Sequence, residues 1–180
     1  MPITGRLGSE LETREFQANA NGQLRWPGGQ ARCALGRGGL LQASDKRESD
    51  GATPIGMWPM RRVLYRPDRL QRPVTALPVT RLTPQMGWCD DPMDVEYNRQ
   101  VRLPFHARHE VLWREDHVYD VIVELGVNDD PVITGRGSAI FLHVARPDYS
   151  PTEGCVACAL PDLRELIGEA RPGDGLRIMA

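Results

Sequence analysis

Fifteen prolines and eighteen glycines among 180 residues constrain this chain more than any other feature, because they fall between short apolar runs and not in one low-complexity tract. Proline fixes φ and removes a backbone donor. A stretch holding Pro54, Pro59, Pro67, Pro73, Pro78, Pro84 and Pro92 therefore cannot run as a long helix and reads as loops with short edge strands. The distribution favours many turns, and the length fits one domain with a sizeable core.

Charge narrows the function classes. Lys plus Arg number 22 against 24 Asp plus Glu, so no global positive field draws in nucleic acid or anionic lipid, and no nucleic-acid partner is expected. No segment approaches the roughly 18 consecutive apolar residues of a membrane span, and no membrane partner is expected. The polar start MPITGRLGSELETREF lacks the apolar run of about 7–15 residues that a signal peptide needs. With Met1 taken as the true start, the expected address is cytoplasmic, and Cys33, Cys89, Cys155 and Cys158 suit a compartment where thiols stay reduced.

Along the chain, Asn19-Ala20-Asn21-Gly22 predicts an N-terminal hairpin over residues 1–25. A short strand is expected within Ala31–Leu41, where Gly36, Gly38 and Gly39 mark positive φ or close approach. Ser44–Gly56 reads as a polar turn cluster and Met57–Tyr65 as a strand. Trp88-Cys89-Asp90-Asp91-Pro92 sets an acidic pair beside an aromatic ring and a thiol; a solvated turn is preferred there over a contact to a cationic group. Arg108–Asp116 does not alternate cleanly and is read as a short helix. Tyr119–Leu125 and Ser138–Val144, rich in β-branched and aromatic residues, are the clearest strands and are expected centrally in a sheet. Pro161–Ala170 carries Leu163, Leu166 and Ile167 at helical spacing, and Leu176–Met179 reads as a last strand.

Chemistry concentrates between Gly135 and Leu163. A thiol near its ordinary pKa of about 8.5 is mostly protonated at neutral pH, so nucleophilic use requires a base. His143 ends an apolar run, and Cys155 returns twelve positions later through a loop holding Pro147 and Pro151. Gly154 permits a sharp turn that would aim the Gly154 and Cys155 N–H groups at an oxyanion. From these residues alone, a buried cysteine beside a core histidine is the favoured reading. Cys158 forms C-x-x-C with Cys155, but neither a thioredoxin-like context nor a second zinc-binding pair accompanies it, and it reads as a packed small residue. His106, His109 and His117 match no strong zinc spacing and are read as structural or surface residues. No metal and no cofactor are expected.

The segment Gly135–His143 followed by Thr152-Glu153-Gly154-Cys155-Val156 resembles the active-site signature of the L,D-transpeptidase catalytic domain, the YkuD-type family. Gly51-Ala52-Thr53-Pro54-Ile55-Gly56 resembles that family's Thr-Pro-x-Gly segment, and Leu112–Asn128 its lead-in to the histidine. The similarity covers about residues 30–179, so the chain divides into an N-terminal hairpin or extension at 1–29 and a catalytic domain at 30–180. The resemblance implies a mainly β fold, a YkuD-type β-sandwich or barrel-like sheet core with a few short helices, and cysteine acyl transfer on peptidoglycan stem peptides. Cys155 would be the nucleophile, His143 its base, the Val144 carbonyl the group that orients the imidazole, Gly154 and Cys155 the oxyanion donors, and Thr152 a support for the loop.

Two positions depart from the family pattern: Val144 follows the histidine where glycine is common, and Ala157 stands where an arginine often lies two places after the cysteine. Substrate binding is therefore assigned to Thr152, to Arg146, Arg136 or Arg114 as carboxylate anchors, and to Asn128. The expected reaction is an L,D-carboxypeptidase cut before the terminal D-Ala of a murein tetrapeptide or muropeptide, with water as acceptor. The alternatives are periplasmic cross-linking by transpeptidation and a non-catalytic murein-binding module.

Overall fold

A computed structural model describes residues 14–180. The apolar positions Ile3, Leu7 and Leu11 lie outside the described residues, and the hairpin expected over residues 1–25 is seen from Phe16 onward. It comprises β1 (Phe16–Asn19) and β2 (Gln23–Trp26). Gly22 closes it at φ 71°, donating its N–H to the Asn19 carbonyl at 2.9 Å, a conformation glycine adopts without the Cβ penalty. The chain continues through β3 (Gly29–Ala34), β4 (Leu40–Gln42), the long β5 (Thr53–Tyr65) and β6 (Val79–Arg81). An excursion then builds β7 (Met86–Cys89), β8 (Gln100–Arg102) and β9 (His109–Val111). After β10 (Val121–Leu125), β11 (Phe141–Val144) and β12 (Val156–Cys158) come α1 (Leu160–Glu169) and β13 (Gly175–Met179). With 37% strand and 8% helix the fold is mainly β, as expected.

The pairings close on themselves: β5 lies against β10, followed in order by β11, β12, β3, β2, β1 and β13, and β13 returns to β5. The result is a barrel-like sheet, with β4 and β6 added along β5. β5 starts four residues earlier than its sequence pattern suggests, and it tolerates two prolines. Pro59 sits where β5 leaves β13, at Pro59↔Gly175, and takes up β10 from Met60 onward, a changeover where a missing donor interrupts neither ladder. The N-terminal hairpin is built into the ring, β1 lying between β2 and β13.

Period-two alternation divides the apolar residues between two cores. Val121 and Val123 of β10, Leu142 and Val144 of β11, and Val156 and Cys158 of β12 face the barrel interior. Ile122, Phe141 and Cys155 face a second cluster under the three-stranded excursion, with Trp88, Leu112 and Tyr119. α1 has Pro161 in its first turn and buries Leu163, Leu166 and Ile167 in the barrel core.

Two local expectations are corrected by pairing across the chain. Arg108–Asp116 is not a helix: His109–Val111 pairs antiparallel with β7, and ladder partners twenty or more residues away outweigh a weak local pattern. Trp88–Pro92 is not wholly a solvated turn, since Trp88 and Cys89 end strand β7 and are buried; only the residues from Asp90 onward turn.

Because α1 joins the barrel core through one apolar stripe, Leu166→Ala should destabilise the protein by about 2–5 kcal/mol, measured by urea unfolding, with the folded far-UV spectrum retained.

Candidate active site

β11 and β12 run parallel, with Leu142 opposite Val156, His143 opposite Ala157 and Val144 opposite Cys158. Directly opposed residues project to the same side. Leu142 and Val144 point into the barrel, so Phe141 and His143 share the other face with Ala157 and, one step before the strand, Cys155. Both reactive side chains line one cleft of about 650 Å³. His143 and Cys155 are each only 7% exposed.

The thiol sits between a donor and an acceptor. Cys155 Sγ–H donates to the Ala139 carbonyl at 3.2 Å, and Sγ accepts the Phe141 N–H at 3.4 Å. Burial pushes the thiol up to about 12, the Glu110 carboxylate adds to the rise, and the Phe141 N–H and Lys46 act against it. Burial likewise brings the imidazole down to about 4, against the opposing effect of its hydrogen bond to the Val144 carbonyl. At neutral pH the pair therefore rests as thiol and neutral imidazole. His143 Nδ1 lies 2.9 Å from the Val144 carbonyl oxygen, an acceptor that fixes the proton on Nδ1 and leaves Nε2 as the basic nitrogen.

The loop before the cysteine is held from two directions. Thr152 Oγ1 donates to the Cys155 carbonyl at 2.6 Å and accepts the Gly154 N–H at 3.1 Å. Its backbone clamps β3's exit, with Thr152 N–H to Leu35 O at 3.0 Å and Arg37 N–H to Thr152 O at 2.8 Å. Gly154 has φ 130°, and a Cβ there would come within 2.9 Å of the Ala52 carbonyl oxygen. Gly36 approaches as closely: its Cβ would stand 3.0 Å from Gly154 Cα. Thr53 Oγ1 holds the Gly36 N–H at 2.8 Å, so Gly51–Gly56 buttresses the cysteine loop.

One expected role changes. The Gly154 N–H is engaged by Thr152 and does not stand free for an oxyanion. Among the described residues the Cys155 N–H has no partner in the surrounding turns and loops. Thr152 is accordingly a positioning residue for the loop, its hydroxyl fully engaged within it.

The expected carboxylate anchors separate. Arg114 and Arg146 line the cleft. Arg114 pairs in two-pronged fashion with Asp116, at 2.8 and 2.7 Å, and Arg146 reaches the same carboxylate at 3.9 Å. The Arg114 guanidinium holds Asp116 below the usual carboxylate range. Arg136 is elsewhere: it bonds the Ser44 carbonyl and lines a different cavity, of about 370 Å³. Asn128, at φ 52°, donates to the Ile133 and Gly137 carbonyls, each at 2.9 Å, and accepts the Ile133 N–H at 2.8 Å. Its polar atoms hold its own loop and do not reach the cleft.

The histidines His106, His109 and His117 do not converge; their nearest partners are Asp94, the Ala107 carbonyl and Asp120 respectively. Among the described residues no group of three or more His, Cys, Asp or Glu is placed to hold a metal. Cys158 faces the barrel interior opposite Cys33 of β3, and all four cysteines are free.

Sequence reading missed the acidic wall. Tyr119 Oη donates to Glu110 Oε1 at 2.6 Å, and Tyr119 meets His143 edge to face at 5.2 Å. Burial raises Glu110 above the usual carboxylate range and Tyr119 well above that of a phenol. The signal for Glu110 lay in strand alternation within His109–Val111, which the local pattern does not display.

Thr152→Val, isosteric but without the hydroxyl, should cost about 1–3 kcal/mol in urea unfolding, since it leaves a buried carbonyl and N–H unpaired. It should also lower turnover, because Cys155 N–H is set by that turn.

Comparison with known families matches the chain to YkuD, described as the L,D-transpeptidase catalytic domain, over residues 10–178. No curated protein matches the chain. The match spans nearly the whole chain, from before the hairpin to the last strand, and includes both cleft-bearing strands: the protein belongs to the L,D-transpeptidase catalytic domain family, enzymes acting on peptidoglycan.

Proposed function

We propose that this protein is a cysteine L,D-acyl transferase that cuts the bond before the terminal D-Ala of a murein tetrapeptide. The observation that carries the reading is the shared face of Cys155 and His143 on adjoining parallel elements, with His143 Nδ1 tied to the Val144 carbonyl. In the first step the Cys155 Sγ–H proton passes to His143 Nε2 as sulfur attacks the carbonyl carbon of the diamino acid residue. The Cys155 N–H meets the oxyanion. The C–N bond then breaks, His143 returns its proton to the departing D-Ala amine, and a thioester remains on Cys155. Arg114 and Arg146, on one side of the cleft, suit a substrate carboxylate.

Water is the acceptor in this reading. The cleft is walled by polar side chains, among them Lys46, Glu48, Tyr119 and Arg114, which suit a water molecule beside the thioester; His143 removes a proton as that water attacks, the C–S bond breaks, His143 returns the proton to Cys155 Sγ, and tripeptide leaves with its new carboxyl group. Transfer to the amine of a second stem is the other reading, favoured by the family's own description as L,D-transpeptidases. The cellular address follows the acceptor: hydrolysis suits soluble muropeptides in the cytoplasm, cross-linking the polymeric wall in the periplasm.

Mass spectrometry of a disaccharide tetrapeptide incubated with the protein should give disaccharide tripeptide and free D-Ala, with cross-linked dimer a minor species. Dimer as the main product would replace hydrolysis by transpeptidation. Cys155→Ala should abolish turnover, and His143→Ala should slow acylation by about 100-fold or more. Arg146→Ala should raise KM about tenfold, in line with losing one charged hydrogen bond, whereas Arg136→Ala should leave it unchanged; equal effects would move the anchor out of the cleft.

A further inference from the structure

Both hydrogen-bond partners of the Cys155 thiol trace back to one buried side chain in the excursion, Asn98. Its Oδ1 accepts the Ala139 N–H at 3.1 Å and the Trp88 Nε1–H at 3.0 Å. Its amide nitrogen donates to the Val127 and Asn128 carbonyls at 3.0 and 2.7 Å. Two acceptor sites and two donor hydrogens are thereby all matched at a residue 5% exposed, so only one amide orientation fits and the side chain is locked.

Each of its two acceptor contacts leads to sulfur. Ala139 holds φ 52°, a left-handed conformation that an alanine rarely adopts without being held. Its carbonyl is the one that takes the Cys155 S–H. The indole of Trp88 meets Phe141 edge to face, with centroids 5.1 Å apart at 88°, and the Phe141 N–H is the one aimed at Sγ. The neighbouring Tyr97 fixes the same loop one turn earlier, its hydroxyl accepting the Gly137 N–H at 3.0 Å.

We propose that Asn98 is a positioning residue for the nucleophile, clamping Ala139 and Trp88 so that the Cys155 thiol is held in one rotamer between the Ala139 carbonyl and the Phe141 N–H. The inference rests on Cys155 being the nucleophile. Without the clamp, Ala139 relaxes out of the left-handed region and its carbonyl turns from the thiol. Phe141, paired opposite Glu124 in the β10 ladder, keeps its thiolate-favouring N–H on the sulfur, whereas the carbonyl acceptor that favours the protonated thiol is lost, so ionisation eases while the attack geometry deteriorates. Reactivity towards a small alkylating agent and turnover therefore move in opposite directions, which a general loosening of the fold does not predict.

The test is the pH dependence of Cys155 alkylation by iodoacetamide, read by peptide mass, beside kcat and KM for the tetrapeptide. In Asn98→Ala the alkylation midpoint should fall by about one pH unit, kcat should drop on the order of 10- to 100-fold, and KM should stay within about twofold of the parent, while the buried Cys33 and Cys158 stay unlabelled. Ala139→Val, which strongly disfavours the left-handed conformation while residue 98 stays asparagine, should reproduce that pattern and serves if Asn98→Ala does not fold. Adding Ala139→Gly to Asn98→Ala should restore most of kcat, because glycine takes positive φ freely. The proposal is overturned if the midpoint and kcat of Asn98→Ala match the parent, if Cys33 and Cys158 label together with Cys155, or if Ala139→Gly rescues nothing. Retained turnover in Cys155→Ala would instead remove the nucleophile reading, and the alkylation midpoint would still report on Asn98 by itself.

Discussion

The parallel pairing of β11 with β12 is the constraint on which the site depends. Three opposed pairs, from Leu142↔Val156 to Val144↔Cys158, decide which side chains meet. A slip of one residue would turn His143 into the barrel and leave Leu142 in the cleft. Parallel neighbours usually need a crossover of a dozen or more residues, commonly a helix. Here residues 145–155 make the return as a loop, and the loop is kept in place by backbone bonds to Leu35 and Arg37 and by the Thr152 hydroxyl. The glycines at 36 and 154 let these strands of backbone touch. Register, loop and glycines thus act together to place Cys155 and His143 in the lining of one cleft.

Burial sets the chemistry available to that pair. A cysteine protease that rests as an ion pair needs a field favouring thiolate, and the Cys155 surroundings oppose it: low exposure and the Glu110 carboxylate both favour the thiol. His143, also buried and near two arginines, stays neutral. In the proposed mechanism the proton would consequently move during attack and not before it. A neutral base with a free Nε2 is suited to that task, and the Val144 carbonyl supplies the tautomer whatever side chain residue 144 carries, which is why valine serves where glycine is common.

Much of this was legible in the sequence. The hairpin at Asn21-Gly22, the strands at β10 and β11, and the helix at Leu160–Glu169 each carry their own local signal in turn chemistry, β-branched runs or i, i+3, i+4 spacing. What sequence could not display was pairing at a distance. The local pattern of β9 reads as helical because its partner β7 lies twenty or more residues away, and Glu110 is lost with it. Asn98 sits 41 residues before Ala139 and 57 before Cys155, in a polar turn with nothing local to distinguish it. Asn128 and Arg136 were reasonable candidates by type and place, yet their polar atoms are engaged by the Ile133, Gly137 and Ser44 backbone. A residue's chemistry is readable from its type, whereas its availability is set by neighbours the fold supplies.

The central claim is that Cys155 and His143 rest uncharged, and it is tested most directly by the ionisation of His143 itself. Nitrogen-15 NMR of imidazole-labelled protein, followed from pH 4 to 9, should show a neutral ring protonated at Nδ1 throughout the neutral range, titrating only near the acid end at about 4. A His143 midpoint at or above neutrality, with an imidazolium signal at pH 7 that disappears in Cys155→Ala, would mean a resting thiolate–imidazolium pair and would contradict the account.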